Sequence, residues 1–322
     1  MTPRTRPVSV RVDGRELTIS NPDKVLFPAT GITKWQLVEH QLTCAEVMLP
    51  LLADRPLTLR RYPDGIDGEG WFQKHTPPGS PSWVRTASVP RGSSREAIEH
   101  VVADAAPTLV YLANLAAIEL HIGPAPVQEP EHPRELVFDL DPPPGAEPAV
   151  VRRATRRVRA VLDEFGMASR LKTTGSAGFH VHVPLNGAAT QALARDVAKA
   201  IATITARRHP GELTVEHRRA RRTGRVLIDW FRNSPAQTAI APYSVRAHPT
   251  APVATPMHWS ELARTQPQRW TITSLPRRLA QQGDVWDRAI TSSDLHEVAP
   301  AIAAALTEAT RSATSTPTPR SR

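Results

Sequence analysis

The sequence predicts a mixed α/β fold (α+β) in which β-sheets that carry acidic residues are flanked by helices. Two short apolar runs, LVFDLDPPPG and RVLIDWFRN, are typical of buried strands, and stretches with helical spacing lie around them. Alternate residues of a strand point to the same face, so Asp139 and Asp141 of the first run project together. With Asp229 in the second run, several carboxylates are expected to gather at the end of a buried sheet.

The N-terminal part of the chain alternates between strand and helix patterns. Residues 8–20 alternate around Asp13-Gly14, which predicts a β-hairpin. After a break at Asn21-Pro22-Asp23, Thr33 caps a helical run, and LTLRRYP predicts the next strand. From residue 97 to 121 the pattern is helical, with a break at Pro107.

The C-terminal part predicts strands and helices around the acidic runs. A helix is expected over about 147–165 and another over about 190–208, with strands RLKTT and FHVHVPL between them on either side of the turn GSAG. Residues 235–256 contain five prolines and are predicted to form a structured loop. SELARTQ and PRRLAQQ predict short helices. We expect one domain over residues 1–309 and a disordered Ser/Thr/Pro-rich tail over residues 310–322.

Composition narrows the class of protein. The chain has 322 residues, of which 40% are hydrophobic, a net charge of +9 and a pI of about 10.5. This charge fits a polyanionic partner and predicts salt-sensitive DNA binding. No apolar run approaches the ~20 residues that cross a bilayer, and the N-terminus has no apolar signal-peptide core. The single cysteine, Cys44, excludes a disulfide framework and a cysteine-rich zinc site. A soluble cytoplasmic protein is expected.

The buried carboxylates require a counter-charge. An uncompensated carboxylate is costly in a buried strand, and a pair of divalent cations is the usual solution when several acids gather. The alternative is that Asp139 and Asp141 simply end a strand before the PPPG turn, with Asp229 a satisfied core acid.

Two segments near the acids have features of an anion site. In TTGSAGFHVHVPL, a glycine turn between strands presents backbone N–H groups and a hydroxyl, and His180 begins the next strand. Arg221, Arg222 and Arg225 precede Asp229, and guanidinium groups beside acids suit a triphosphate. The alternatives are an ordinary hairpin turn and a solvated basic hairpin.

The N-terminal third contains further candidate residues. Of 40 basic residues only five are lysines, and Lys24 and Lys34 lie together in NPDKVLFPATGITKWQL, where the start of a helix favours anions. Trp71 and Phe72 precede Lys74 on a glycine-rich loop, which suits stacking on nucleobases. The alternative for these rings is burial in the core.

Together these segments resemble the polymerase of bacterial non-homologous end joining, a module of ligase D proteins that also occurs as a free-standing chain and belongs to the archaeo-eukaryotic primase superfamily. The likeness runs from about Asn21 to Trp286. It includes NPDKVLFP, RPLTLRRYPDGIDGEGWFQKH, YLANLAAIELH, LVFDLDPPPG, TTGSAGFHVHVPL, and RVLIDWFRN with QTAIAPYSVR. It implies a primase-like catalytic core of mixed β-sheets flanked by helices.

The resemblance implies roles for the matching residues. The acids that match the metal ligands of nucleotidyl transfer, with two ions of Mn²⁺ or Mg²⁺, are Asp139, Asp141 and Asp229. The residues that match those around the incoming NTP or dNTP are His121, Thr174, Gly175, Ser176, His180, Arg222, Thr238 and Arg246. The residues that match the pocket for a downstream 5′-phosphate are Asn21, Lys24 and Lys34. Trp71 and Phe72 match the pair that stacks on the template, and Arg60 and Lys74 are expected to contact DNA.

The sequence departs from the family pattern at three positions. Thr174 replaces the usual serine, Ala177 replaces a basic residue that should face the triphosphate, and Trp71 replaces the commoner phenylalanine. Because Ala177 removes a positive charge, we predict weaker nucleotide binding than in a typical member. The hydroxyl of Thr174 and the ring of Trp71 should preserve their roles.

The resemblance implies a DNA-directed nucleotidyltransferase that fills short gaps at double-strand-break ends, with a preference for ribonucleotides and manganese. The sequence has no lysine-x-aspartate-glycine motif of an adenylating enzyme, so a separate ligase and bacterial Ku are expected partners of a monomeric, nucleoid-associated chain. The competing hypotheses are a replication or repair primase-polymerase, a two-metal nuclease and a non-catalytic DNA-end-binding protein.

Overall fold

The structure, a computed structural model, describes residues 6–90, 96–287 and 289–314. Its strands are β1 Val8–Val12, β2 Arg15–Ile19, β3 Val25–Phe27, β4 Ile32–Thr33, β5 Leu57–Arg61, β6 Trp71–Gln73, β7 Thr86–Pro90, β8 Ala97–Val101, β9 Ala117–Ile122, β10 Glu135–Asp141, β11 Arg170–Thr173, β12 Phe179–Pro184, β13 Leu213–Thr214, β14 Val226–Asp229, β15 Ala239–Ile240 and β16 Pro256–Met257. Its α-helices are α1 Lys34–Leu52, α2 Ala106–Asn114, α3 Pro148–Glu164, α4 Gln191–Arg208, α5 Leu275–Gln282 and α6 Leu295–Thr314. The mixed α/β prediction is confirmed.

The larger sheet carries the three acids. Its strand order is β13-β14-β10-β12-β11-β16, and its pairs are antiparallel except for β13 with β14. Helices α3 and α4 pack against this sheet, and α6 packs against α4. Phe138 and Leu140 are fully buried in the core that these elements share. Because side chains alternate along a strand, Asp139 and Asp141 project from the face opposite that core.

The smaller sheet has the order β15-β9-β5-β6 and belongs to a second hydrophobic core, to which α1 and α2 contribute. Ile118 and Leu120 of β9 are fully buried in this core, so Glu119 and His121 lie on the other face of the same strand. Helix α1 begins as predicted, because the Thr33 hydroxyl accepts from the Gln36 N–H and the Gln36 side chain accepts from the Thr33 N–H.

The proline-rich segment joins the two sheets. The Ala241 N–H donates to the Leu120 carbonyl of β9, and the Thr173 N–H of β11 donates to the Thr255 carbonyl. The Leu120 N–H in turn donates to the Ser244 hydroxyl at 2.8 Å. The prediction of a structured loop here is confirmed, and the segment holds the acid-bearing sheet beside β9.

The helix predicted over residues 97–121 is wrong. This stretch forms strand β8, helix α2 and strand β9 in succession. Pro107 lies in the first turn of α2, where a missing N–H costs nothing, and Ala116 ends the helical stretch with a φ of 54°. The run AIEHV alternates exposed and buried residues, as an amphipathic strand does, and pairs with β7.

Helix α6 extends to Thr314 and so includes residues 310–314 of the segment that was predicted to be a disordered tail. Its alanine-rich sequence favours helix formation, and Ile302 is buried against the larger core. Residues 315–322 of that predicted tail lie outside the described residues. None of the helices among the described residues is both long and apolar enough to cross a membrane.

Candidate active site

The three acids meet on the central strands of the larger sheet. Asp139 of β10 is paired directly with Asp229 of β14 on one side and with His180 of β12 on the other. Asp139 and Asp229 are buried, whereas Asp141, at the end of β10, is partly exposed. Antiparallel pairing therefore brings together side chains that are 90 residues apart in the sequence.

The buried carboxylates of the site have shifted pKa values. Burial, together with the charges of Asp139 and Asp229, raises the pKa of Asp141 to about 7. Burial also raises the pKa of Asp229, although Arg232 opposes this effect. The pKa of Asp139 is lowered, because His180 and Arg232 outweigh the effect of its burial. The site thus concentrates more negative charge than its surroundings neutralise, which is the condition that favours divalent cations.

Arg232 acts as the internal counter-charge of this cluster. Its Nε lies 3.1 Å from Asp229 Oδ2 and 3.4 Å from Asp139 Oδ2. The Nε is buried but makes no hydrogen bond of good geometry with a described residue. Among the described residues, no set of three or more His, Cys, Asp or Glu side chains is arranged to hold a metal ion. Asp139 and Asp229 instead lie on either side of the Arg232 guanidinium group.

His180 orients Asp139. Its Nε2 lies 3.3 Å from Asp139 Oδ1. Burial and the neighbouring Lys172 lower the pKa of His180 to about 3, so the imidazole is neutral and donates a hydrogen. Lys172 is itself fully buried, directly opposite His180 on β11.

A cavity of about 260 Å³ opens beside Asp139 and Asp141. The predicted site residues that line it are Arg60, Phe72, His121, Asp139, Asp141, Thr174, Ser176, His180, Thr238 and Arg246. Ala177 lines it as well, at the position where the family pattern has a basic residue. The cavity brings arginine and histidine side chains and the turn after β11 next to the acids, a combination that suits a polyphosphate.

Glu119 contacts two arginines and a histidine of this cavity. Its carboxylate lies 2.9 Å from His121 Nε2, 3.3 Å from Arg246 Nη1 and 3.5 Å from Arg60 Nη1. It also accepts from the Ala247 N–H at 3.0 Å. Although Glu119 is buried, His121 and Arg246 lower its pKa to about 2, so it is ionised. It therefore holds three cavity side chains in place.

The glycine turn after β11 is held by hydrogen bonds among its own residues. The Thr174 hydroxyl accepts from the N–H groups of Ser176 and Gly178 and donates to the Gly178 carbonyl. Gly175 has a φ of +67°, and a Cβ there would lie 2.7 Å from Arg246 Cγ. Glycine is therefore required both by the backbone and by the close approach of Arg246.

Arg222 and Lys74 lie outside this cavity. Arg222 donates to the carbonyls of Glu216 and His217 on the loop before β14, and its charge partly offsets the rise in the pKa of Asp141. Lys74 donates to the Ala236 carbonyl at 3.3 Å and lines a neighbouring cavity of about 440 Å³.

Trp71 and Phe72 are exposed on the edge strand β6. Trp71 is 43% exposed and Phe72 59% exposed, so neither ring is part of the core. The guanidinium group of Arg61 lies 5.3 Å from the Trp71 ring, and that of Arg60 lies 5.3 Å from the Phe72 ring. Phe72 also contacts His121 edge to face. Phe72 lines the cavity on the side of the smaller sheet, and Trp71 precedes it on the same strand.

Asn21, Lys24 and Lys34 come together at the N-terminus of α1. Asn21 adopts a φ of 46°, and its carbonyl accepts from the Lys24 N–H. The Lys24 ammonium lies 2.7 Å from Asp64, whose side chain is exposed. Lys34 is buried and donates to the Ser20 carbonyl at 2.7 Å; burial and the nearby Lys24 lower its pKa to about 8.

The sequence analysis missed Glu119 and Arg232. Glu119 lies two residues before His121, so a strand pattern would have placed both on one face, but the segment was interpreted as a helix. Arg232 follows Asp229 by three residues in DWFRN, and the short helical turn Phe231–Asn233 returns its side chain to the acids.

Comparison with known proteins agrees with this architecture. The family model described as LigD, primase-polymerase domain, matches residues 33–286. The multifunctional non-homologous end joining DNA repair protein LigD of Mycobacterium tuberculosis is 34% identical over 285 residues, which are 85% of this chain and 37% of that protein. The bifunctional non-homologous end joining protein LigD of Bacillus subtilis is 30% identical over 270 residues, 83% of this chain and 43% of that protein.

A solved structure of the polymerase domain from Mycobacterium tuberculosis ligase D in complex with DNA matches with a TM-score of 0.78 and 33% identity, covering 84% of this chain and 97% of that one. The fold and these matches define the class of protein as a nucleotidyltransferase of the polymerase type. The chain belongs to the family of LigD primase-polymerase domains. It spans less than half the length of the curated relatives named above.

Proposed function

We propose that this chain fills short gaps at the ends of DNA double-strand breaks during non-homologous end joining, as a template-directed nucleotidyltransferase. The observation that carries the proposal is the position of Asp139 and Asp141 on the edge of a cavity that also contains Arg246 and His121. The names of the relatives, which are end-joining proteins, and the DNA in the matched structure support it.

The residues that would hold two divalent cations, Mn²⁺ or Mg²⁺, are Asp139, Asp141 and Asp229. Such ions, when bound, lower the pKa of a 3′-hydroxyl and neutralise a triphosphate and its leaving group. The raised pKa values of Asp141 and Asp229 support this assignment, because burial and the charges of the neighbouring acids disfavour ionised carboxylates that bound cations would stabilise. Arg232 would leave the acids when the site is loaded, and the neutral His180 would keep Asp139 oriented.

The cavity residues would bind the incoming nucleotide. Arg246 and Arg60, fixed by Glu119, present guanidinium groups that hold phosphate oxygens, and His121 is fixed by the same carboxylate. Thr174, Ser176 and Ala177 of the turn after β11 would lie beside the triphosphate, and Thr238 lines the same cavity. Arg222 would contribute positive charge from outside the cavity. A preference for ribonucleotides and for manganese is part of the proposal and rests on the family resemblance.

The remaining predicted residues would bind DNA. Asn21, Lys24 and Lys34 would receive the 5′-phosphate on the downstream side of a gap, where the N-terminus of α1 adds a favourable dipole. Trp71 and Phe72 would stack on the template strand, with Arg60 and Lys74 beside them. A 5′-phosphate pocket favours end joining over a replicative primase, and a cavity rich in arginine favours a polymerase over a nuclease.

The partners and setting belong to the same proposal. We infer that the chain acts as a monomer at the nucleoid, together with a bacterial Ku protein and a DNA ligase. The net charge of +9 supports association with DNA.

Extension of a labelled primer on a gapped duplex tests the proposal. Wild-type protein should add template-matched nucleotides with MnCl₂, and Asp139→Asn should reduce the rate by at least about a thousandfold, since metal-assisted charge stabilisation supplies several kcal/mol. The exposed Asp163→Asn on α3 is the matched control and should keep full activity. Degraded DNA would indicate a nuclease, and synthesis without a primer would indicate a primase. DNA binding without extension would indicate a binding protein. Each of these outcomes would overturn the proposal.

A further inference from the structure

Phe231 is an exposed aromatic ring next to Asp229, the acid that does not line the cavity. Among the described residues, the large aromatic side chains that are exposed are Trp71, Phe72 and Phe231; Phe72 lines the cavity, and Phe231 adjoins Asp229. Phe231 is 44% exposed and packs in neither hydrophobic core of the described part of the chain. An exposed phenylalanine that contributes to no core is a candidate contact residue.

Phe231 is coupled directly to Asp229. Its N–H donates to Asp229 Oδ1 at 2.9 Å. His217, whose side chain is 42% exposed, lies with Nδ1 3.8 Å from the same carboxylate oxygen. The ring of Phe231 contacts those of His217 and Trp230 edge to face at centroid distances of 5.8 Å and 5.9 Å. We call this group of three rings, His217, Trp230 and Phe231, the aromatic platform.

The aromatic platform is surrounded by positive charge. Arg218, Arg219, Arg221, Arg222 and Arg225 lie on the loop that carries His217. Within the described part of the chain, none of these five forms a salt bridge with an acidic side chain, and Arg222 and Arg225 donate to backbone carbonyls. Lys199 of α4 lies 5.4 Å from the Trp230 ring. Exposed rings beside several arginines that form no salt bridge are the features with which proteins bind nucleic-acid strands that present unpaired or terminal bases.

The position of the platform indicates which strand it would contact. The nucleotide cavity lies on the side of Asp139 and Asp141, with Phe72 on its rim, and Asp229 does not line it. A 3′-hydroxyl has to approach the reacting phosphorus from the side opposite the leaving pyrophosphate. His217 and Phe231 both contact Asp229 and are exposed, so we infer that a 3′-hydroxyl approaches the acids beside them.

We propose that the aromatic platform binds the 3′-terminal nucleotide of the primer strand by stacking on its base. Phe231 and His217 supply the stacking surface, and the arginines of the adjoining loop bind the primer backbone. This assignment rests on the proposed function and names the strand that the site holds beside Asp229. Trp71 and Phe72 then contact the template side, so aromatic rings flank the acids on both sides.

Fluorescence of 2-aminopurine at the primer 3′ terminus tests the assignment without catalysis. In the absence of nucleotide, wild-type protein should quench the probe on a gapped duplex, because a base stacked on a ring loses emission. Phe231→Leu keeps the side-chain volume against Trp230 but removes the aromatic face, so it should abolish the quenching. Phe231→Tyr should restore it, and Leu42→Ala, at an exposed position on α1, should behave as wild type.

Steady-state kinetics add a second readout. Phe231→Leu should raise KM for the primer-template by at least about fivefold, the smallest effect expected when one stacked base is lost, and leave KM for the nucleotide unchanged. A primer with an abasic 3′-terminal nucleotide should show no such difference between Phe231→Leu and wild type, because it has no base to stack.

The outcomes separate this inference from the proposed function. Normal extension with no loss of quenching in Phe231→Leu overturns the platform and leaves the polymerase assignment in place. Quenching of a template probe instead of the primer probe also overturns it, because the platform then contacts the other strand. Platform-dependent quenching without any nucleotide incorporation supports the platform and rejects the polymerase.

Discussion

Asp139 of β10 and Asp229 of β14 face each other directly across two antiparallel strands. Arg232 lies close to both carboxylates, with its Nε 3.4 Å from Asp139 and 3.1 Å from Asp229. In the protein without metal this arginine is therefore the counter-charge that allows two buried acids to lie side by side. Metal binding would replace the charge of Arg232 by the charges of divalent cations, and this exchange should change the thermal stability of the protein.

Arg232→Gln should make the fold depend on metal. Without divalent ions we expect the free energy of unfolding to fall by about 1–3 kcal/mol, because the carboxylates lose their buried partner while part of the arginine is solvated. Addition of MnCl₂ should raise the Tm of this variant more than that of wild type. Differential scanning fluorimetry measures both effects. Arg195→Gln, which removes an exposed pair with the adjacent Asp196, should change stability by less than about 0.5 kcal/mol and should respond to MnCl₂ as wild type does. Equal responses of Arg232→Gln and wild type to MnCl₂ would contradict the exchange.

Gly175→Ala should weaken nucleotide binding by displacing Arg246. The added Cβ would lie 2.7 Å from Arg246 Cγ, and we expect KM for the nucleotide to rise about tenfold, as for the loss of one charge-assisted contact. Gly145→Ala provides the matched control, because Gly145 also has a positive φ, +76°, but has open space at its Cβ position. Both variants should lose about 1 kcal/mol of stability from backbone strain. If KM for the nucleotide, measured on a one-nucleotide gap, is unchanged in Gly175→Ala, then the position of Arg246 does not contribute to nucleotide binding.

Ala177→Lys should strengthen nucleotide binding. Ala177 lines the cavity where the family pattern has a basic residue, so a lysine there adds a positive charge that faces the triphosphate. We expect KM for the nucleotide to fall about three- to tenfold, as for one partly solvated charge pair. Ala188→Lys adds the same charge to an exposed loop after β12 and should leave KM as it is. A rise in KM for Ala177→Lys, or an equal fall in both variants, would contradict the assignment.

The benefit of a downstream 5′-phosphate should decline above about pH 8. Burial and the nearby Lys24 lower the pKa of Lys34 to about 8, so this side chain loses its charge as the pH rises through that value. The phosphate monoester has its second pKa near 6 and remains a dianion over the same range. Binding of gapped DNA with and without the 5′-phosphate, measured by fluorescence anisotropy from pH 7 to pH 10, gives the benefit as a ratio of Kd values.

Lys34→Arg is the control for this titration. Arginine keeps its charge at every pH in the range, so the ratio should stay constant in this variant. A ratio in wild type that is the same at pH 7 and pH 10 would remove Lys34 from the phosphate pocket.

Much of the fold and the acids could be predicted from local patterns. Asp139 and Asp141 share a face because of strand alternation, and the Thr33 cap follows from its position before a helical run. Glu119 could not be predicted, because the apolar residues of segment 97–121 also fit a helix. This segment forms strands β8 and β9 only because β8 pairs with β7 and β9 pairs with β5. Arg232 escaped because its role depends on the register that sets Asp139 against Asp229, which no local pattern contains.

The roles of the remaining residues depend on long-range contacts for the same reason. Thr174 was expected to offer its hydroxyl to a phosphate, and its hydroxyl instead binds N–H groups within its own turn. Helix α6 was not predicted, since its alanine-rich sequence acquires a buried face only when it packs on α4.

The most direct test of the central claim compares single-nucleotide addition on a one-nucleotide gap with and without the downstream 5′-phosphate, in the presence of MnCl₂. The account predicts template-matched addition that is faster with the 5′-phosphate and that Asp139→Asn abolishes. Lys34→Ala should remove the acceleration by the 5′-phosphate, whereas Arg11→Ala, at an exposed position of β1, should retain it. Addition at the same rate on both substrates would contradict an end-joining polymerase anchored by the 5′-phosphate, and no addition on either would contradict a polymerase altogether.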